Sequence, residues 1–128
     1  MNIEYKKETN KSFEEALLSL KSSLKTVGFG VLWEMNFKDK LQEKGLEFNK
    51  DFKVLEVCNP KAAKEVLEIE LEAGYFLPCK MVVYNMNGTV YIGMLKPTNL
   101  ITMIDNPLLV DTAKEVEEAL IKAIEASV

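Results

Sequence analysis

The dipeptide Asn87-Gly88 is the feature that most constrains the fold of this chain. Both residue types tolerate the positive φ angles that a two-residue hairpin turn requires, and alternating apolar residues lie on either side of the pair. We therefore predict a β-hairpin with strands at about 80–86 and 89–95. Because a hairpin pairs its strands antiparallel, the chain is expected to contain an antiparallel sheet.

Other segments have the apolar spacing of amphipathic helices, in which every third or fourth residue is apolar. Ser12 begins the first, since Glu15 follows it at the spacing of a capping box, and Gly28 ends it. Residues 38–44 fit a short helix, and residues 98–106 fit no single pattern. Two more helices are predicted. One runs from Pro60 to about Glu70, after the N-cap residue Asn59. The final helix begins either after Asn106-Pro107 or at Thr112, where Glu115 repeats the capping-box spacing.

Period-two patterns predict three more strands. Residues 2–8 alternate weakly and fit a short edge strand, and a second strand is expected at about 53–58. From residue 29 the large residues alternate strictly, so we expect five of them to face the core: Phe29, Val31, Trp33, Met35 and Phe37. The other face of the sheet would then be semi-polar and could seat a second subunit or a ligand, with residues such as Leu32, Glu34, Asn36, Tyr91 and Leu95.

These elements predict a single α+β domain spanning residues 1–128. Each long helix carries one apolar stripe, so the simplest packing places the helices on one face of a mainly antiparallel sheet. The length is typical of one domain. With 48% apolar residues, the chain can bury a core without disulfides or metals.

The chain has no histidine, and this excludes several classes of active site within one chain. A Ser-His-Asp triad, a Cys-His dyad and a histidine general base all need an imidazole. Catalytic zinc usually takes histidine ligands as well, so we predict no metal site, and no cofactor is indicated. An enzyme is therefore disfavoured.

Charge and hydropathy limit the classes of partner and the cellular location to be expected. The formal net charge is −4 and the basic residues are scattered, which argues against nucleic acid as a partner. The apolar runs are far shorter than the roughly 20 residues of a membrane span, and residues 1–11 are polar. We expect a cytoplasmic protein that does not bind membranes, with its cysteines reduced.

Two cysteines are the candidate reactive groups. Cys58 lies between a predicted strand and a helix N-terminus, where amides and the helix dipole would stabilise a thiolate. Cys79 follows Pro78 at the start of the hairpin, so neighbouring strands could bring the two thiols together. The alternative is that both cysteines pack as small apolar side chains.

The segments around these cysteines resemble the signature of domain-of-unknown-function family 302. The matching runs are Val54 to Pro60, Ala62-Ala63, and Leu77 to Tyr84. The resemblance covers nearly the whole chain, and it implies a homodimer and a TATA-box-binding-protein-like α+β fold, in which long helices lie on a curved, mainly antiparallel sheet. It implies no activity, and a fold related to a DNA-binding saddle does not imply DNA binding.

We thus predict a homodimeric small-molecule-binding or regulatory module. Its ligand site would lie between the sheet and the helices or at the dimer interface, and would include Cys58, Asn59, Pro60, Pro78 and Cys79. Free amides at the start of the Pro60 helix would hold an anionic group. The alternative is a thiol-dependent redox or sulfur-transfer protein with Cys58 as nucleophile and Cys79 as resolving thiol. A purely structural interaction protein is a third possibility.

Overall fold

One antiparallel sheet and five helices make up the computed structural model, which describes residues 3–128. The elements in chain order are β1 (Glu4–Thr9), α1 (Phe13–Thr26), β2 (Gly30–Asn36), α2 (Phe37–Glu43), β3 (Phe52–Cys58), α3 (Pro60–Ile69), β4 (Cys79–Met86), β5 (Thr89–Leu95), α4 (Pro97–Ile101) and α5 (Val110–Ser127). Two 3-10 segments, Leu71–Phe76 and Pro107–Leu109, precede β4 and α5. The strand order is β1-β5-β4-β3-β2, so the predicted α+β class is confirmed.

The hairpin forms where the sequence predicts it. Asn87 and Gly88 have φ angles of 55° and 89°, and the flanking residues Met86 and Thr89 pair across the turn. All four strand pairs of the sheet are antiparallel. β5, rather than β4, then pairs with β1, which lies at one edge of the sheet.

Helix α1 has both of its predicted ends. The Glu15 amide donates to Ser12 Oγ over 3.1 Å, and the Ser12 amide donates to the Glu15 carboxylate over 3.3 Å, which completes the capping box. At the other end Gly28 has a φ of 84°, and the Phe29 amide donates back to the Leu24 carbonyl over 2.9 Å. This is a Schellman motif, which needs a left-handed residue and so favours glycine.

The core lies between one face of the sheet, here called the inner face, and helices α1 and α5. Leu20 and Leu24 of α1 and Leu120 and Ile124 of α5 are fully buried or nearly so. They join the inner-face residues of the three central strands in one cluster: Leu55, Val57, Met81, Val83, Val90, Ile92 and Met94. The two long helices therefore lie on the same face of the sheet, as their apolar stripes predict.

The predicted orientation of β2 is wrong beyond Val31, because the pairing with β3 shifts by one residue between Val31 and Trp33. A one-residue shift exchanges the two faces of a strand. Glu34 is therefore paired with the buried Leu55 and faces the helices, whereas Trp33 is 48% exposed on the opposite, outer face.

This shift in pairing is a β-bulge, and it also changes the positions of two polar residues of β2 that the sequence places on the outer face. Glu34 accepts from Lys21 of α1 and from Lys53 of β3, over 2.7 and 2.6 Å, and these contacts lower its pKa. Asn36 ends β2 and caps α2, its side chain accepting from the Lys38 amide over 2.9 Å. Phe37 begins this helix and does not continue the strand.

The remaining differences concern helix starts and one strand end. Helix α5 begins at Val110, between the two predicted positions, and Thr112 does not cap it. The Thr112 hydroxyl instead donates to Glu65 of α3 over 3.2 Å. Helix α4 occupies part of the unassigned 98–106 segment. Strand β1 begins at Glu4, and Asn2, the first residue of the predicted strand, lies outside the described residues.

The capping box of α1 is testable by one substitution. Ser12→Ala removes the acceptor for the Glu15 amide, and we expect the free energy of unfolding to fall by about 1 kcal/mol in urea titrations. Ser22→Ala is the matched control, because Ser22 is exposed inside the same helix. A control variant as destabilised as Ser12→Ala would contradict this explanation.

Candidate functional site

An apolar cavity of about 140 Å³ lies at the end of the sheet where β3 ends and β4 begins. Helix α3 and the 3-10 segment Leu71–Phe76 form one wall, and α4 and α5 form the other. The apolar lining includes Phe29, Val57, Val66, Ala73, Phe76, Leu77, Leu100, Leu109, Ala113, Val116 and Leu120.

The cavity exists because α3 does not join the core. Its apolar residues are partly exposed and none is buried, although they share one face of the helix. Small side chains also line the space from three elements: Ala62 and Ala63 of α3, Ala73 of the 3-10 segment and Ala113 of α5. Alanine leaves volume where a leucine would fill it, so the gap between α3 and the sheet stays open.

Three side-chain hydrogen bonds join the helices around the cavity. Glu65 of α3 accepts from Thr112 of α5, and Glu70 accepts from the side chain of Asn106 over 3.3 Å. On the opposite side, Glu117 of α5 accepts from the Thr98 hydroxyl of α4 over 2.7 Å. Acidic residues on a helix usually lie on a solvated face. In this structure the three glutamates instead join α3 and α4 to α5 and to the segment that precedes it.

Four of the five predicted ligand-binding residues line this cavity: Cys58, Asn59, Pro78 and Cys79. The antiparallel register explains why they meet, since Val57 pairs with Cys79 and both segments therefore lie at the same end of adjacent strands. Pro60 is not a lining residue; it is exposed as the first residue of α3.

The start of α3 has fewer free backbone amides for an anion than the sequence suggests. Pro60 has no amide hydrogen, the Ala62 amide donates to Asn59 Oδ1 over 3.1 Å, and the Ala63 amide donates to the Asn59 carbonyl over 2.9 Å. These bonds satisfy most of the amides that an anion would use. Asn59 is therefore a capping residue first, and its side-chain oxygen is already occupied.

The two cysteines are free thiols, and each is partly buried. Burial raises the pKa of the Cys79 thiol to about 11, and the nearby Cys58 adds a smaller effect in the same direction. A thiol with this pKa is almost entirely protonated near neutral pH, which disfavours attack by Cys79 on a disulfide. Within residues 3–128, no group of three or more metal-ligating side chains occurs.

Sequence reasoning missed most of the apolar wall and one charged residue, Lys80. The alanines carry no local signal for a cavity, because a void depends on what faces them in three dimensions. Lys80 follows Cys79 directly, lines the cavity and is exposed to solvent. Its position in the predicted strand next to Cys79 is the only sequence feature that could have pointed to it.

Comparisons with known proteins agree on one family. Residues 5–127 match the family described as domain of unknown function DUF302. A crystal structure of an uncharacterized conserved DUF302 protein from Bacillus stearothermophilus is 44% identical in sequence, with a TM-score of 0.96 and 100% of each chain covered. No curated protein is significantly similar to the chain. Between residues 3 and 128, none of the helices combines the length and apolar content needed to cross a bilayer.

The raised pKa of Cys79 predicts a loss of stability at alkaline pH. Above an ordinary thiol pKa of about 8.5, the unfolded chain releases this proton while the folded chain keeps it up to pH about 11. The free energy of unfolding should therefore fall by about 1 to 2 kcal/mol between pH 8 and pH 10. Urea titrations of Cys79→Ala should show a smaller decline over the same range.

A control variant and the behaviour of Tyr5 show which group causes the decline in stability. Cys58→Ala is the control, because it keeps the Cys79 thiol and most of the decline. Tyr5, whose pKa burial and the Glu125 carboxylate raise to about 12, adds a decline of the same sign above pH 10 in all variants. Equal declines for wild type and Cys79→Ala below pH 10 would show that Cys79 does not cause the effect.

Proposed function

The chain belongs to the DUF302 family, and from that premise we propose that its function is to bind a small, largely apolar molecule in the cavity beneath α3. The observation that carries the proposal is an unfilled apolar space of about 140 Å³ beside an otherwise close-packed core. Protein interiors are packed at the density of organic crystals, so an unfilled space of this size costs stability. A ligand that fills the space would recover the lost contacts.

The size and lining of the cavity support a compact ligand. A dry apolar cavity of about 150 Å³ in another protein binds benzene, so a ring or a short branched chain has the appropriate volume. The polar lining groups Thr112 and Asn59 are engaged by Glu65 and by the α3 amides, which leaves them little capacity to bind a ligand. The ligand body is therefore expected to be held by shape and apolar contact, without catalysis by this chain.

We also propose that the protein is a homodimer whose interface is the hairpin end of the outer face, which leaves the end of that face at Lys80 accessible. Four aromatic rings follow one another across this face: Phe37, Phe52, Tyr84 and Tyr91, with centroids 5.4 to 5.8 Å apart. Trp33 is exposed on the same face. The four rings are half-buried, and a partly exposed aromatic cluster of this kind favours a protein interface, because these side chains bury large areas with little loss of conformational entropy.

The thiol-dependent alternative has one observation in its favour and one against it. Cys58 and Cys79 line the same cavity at the ends of adjacent strands, but burial raises the pKa of Cys79. We therefore rank ligand binding above redox or sulfur-transfer chemistry. The two free thiols are those expected of a protein in a reducing compartment, which supports our proposal of a cytoplasmic location.

Filling the cavity should abolish ligand binding. In Ala113→Leu, three additional carbon atoms project from α5 into the space that a ligand would occupy. Toluene at saturation should raise the melting temperature of the wild type by a few degrees and leave that of Ala113→Leu unchanged, since only a protein that binds toluene is stabilised by it. Differential scanning calorimetry measures both shifts.

Ala126→Leu is the control for the added leucine, because Ala126 is exposed on the same helix. It should respond to toluene as the wild type does. A wild type that shows no shift, or an Ala113→Leu variant that shifts as much as the wild type, would contradict ligand binding in this cavity.

The proposed interface is tested by placing a charge in the aromatic row. Tyr84→Lys should convert the dimer to a monomer in sedimentation velocity experiments, since two copies would bring like charges together on an apolar surface. The matched control is Tyr75→Lys, because Tyr75 is 87% exposed in the 3-10 segment outside the aromatic row. A wild type that sediments as a monomer at all concentrations would rule out the homodimer.

A further inference from the structure

Lys80 differs from every other described residue that lines the cavity, because it is the one with a charged side chain. It is exposed, and so is Leu95, which lines the cavity beside it. The cavity therefore opens to solvent on the side where these two residues lie.

Beyond this opening, the outer face of the sheet forms a shallow depression of about 260 Å³. Lys80 and Leu95 line both the cavity and the depression, so the two spaces are neighbours. Gly93 also lines the depression, where a β-carbon at this position would lie a tight 3.1 Å from Lys6 Cβ. A ligand whose apolar part fills the cavity thus has room for a polar end in the depression.

The Lys80 ammonium has no protein partner among residues 3–128. The lysines of the five ion pairs are others: Lys21, Lys38, Lys40, Lys53 and Lys64. Glu56 is opposite Lys80 in the strand register, yet the two side chains form no ion pair. Lys80 thus adds an ammonium with three donors to the residues that border both the apolar cavity and the depression, in a protein of net charge −4.

From this juxtaposition we propose that the cavity selects amphiphilic monoanions, in which an apolar ring or short chain fills the cavity and a carboxylate pairs with Lys80. The inference rests on the proposed ligand-binding function and specifies its substrate class. An apolar cavity alone does not distinguish a neutral ligand from a charged one of the same shape. The cation at its opening does, because it favours a negative group over a hydroxyl at the same position.

Other charged residues around the opening limit the preference for an anionic ligand. Lys6 also lines the depression, where its ammonium lies 5.2 Å from the centre of the Tyr91 ring. Glu4 lines the same depression and opposes binding of an anion there. An ion pair open to solvent contributes little, so the preference for a carboxylate is expected to be about three- to fivefold in affinity.

Benzoate and benzyl alcohol are suitable probes, because they share one ring and differ in the charged group. In the wild type, NMR titration should give a dissociation constant about three- to fivefold lower for benzoate at low ionic strength, and added salt should reduce the difference. Lys80→Met, which keeps an apolar stem without the charge, should bind both probes equally. Lys80→Arg should keep the preference for benzoate.

Lys122→Met is the matched control, since it lowers the net charge by the same amount at an exposed residue of α5 that lines neither the cavity nor the depression. It should retain most of the preference. Equal affinities in the wild type, or an unchanged preference in Lys80→Met, would overturn the selection of anions and leave the binding function intact. Failure of both probes to bind the wild type would overturn the binding function itself.

Discussion

The burial of α1 and α5 against the inner face of the sheet is the interaction on which the rest of the structure depends. Leu20, Leu24, Leu120 and Ile124 each lose nearly all contact with water there, which is the largest favourable contribution to folding. These two helices occupy the inner face over the central strands and leave α3 only the end of the sheet. The cavity is the space that remains between α3, α5 and the strand ends.

Much of the fold could be predicted because its strongest signals are local. Asn87-Gly88, the Ser12–Glu15 spacing and Gly28 each act through residues close in sequence, and each forms the predicted turn or cap. The bulge in β2 has no such local signal, since only the pairing with β3 shows which residue is extra. Thr112 and Glu115 show the opposite problem, because their spacing imitates a capping box while Thr112 bonds to a distant glutamate.

The candidate site could likewise be predicted only in part from the sequence. Cys58 and Cys79 could be placed at the end of one strand and the start of another, and these ends meet because β3 pairs antiparallel with β4. The cavity itself could not be predicted, because it results from small side chains on helices that meet only in the folded state. Ala73 and Ala113 are 40 residues apart, and either would be an ordinary helix residue if larger side chains faced it. That Lys80 forms no ion pair among residues 3–128 is likewise visible only in three dimensions.

The lack of buried residues on α3 has a consequence for how the protein moves. Elements with few buried contacts open in local fluctuations that cost much less free energy than global unfolding. α3 contributes only partly buried apolar side chains and also forms polar bonds such as Glu65–Thr112 and Glu70–Asn106, whereas α1 and α5 share the core. Amide hydrogens of α3 would then exchange with solvent well before those of α1. A displacement of α3 therefore changes the width of the cavity, while the sheet and its two long helices stay folded.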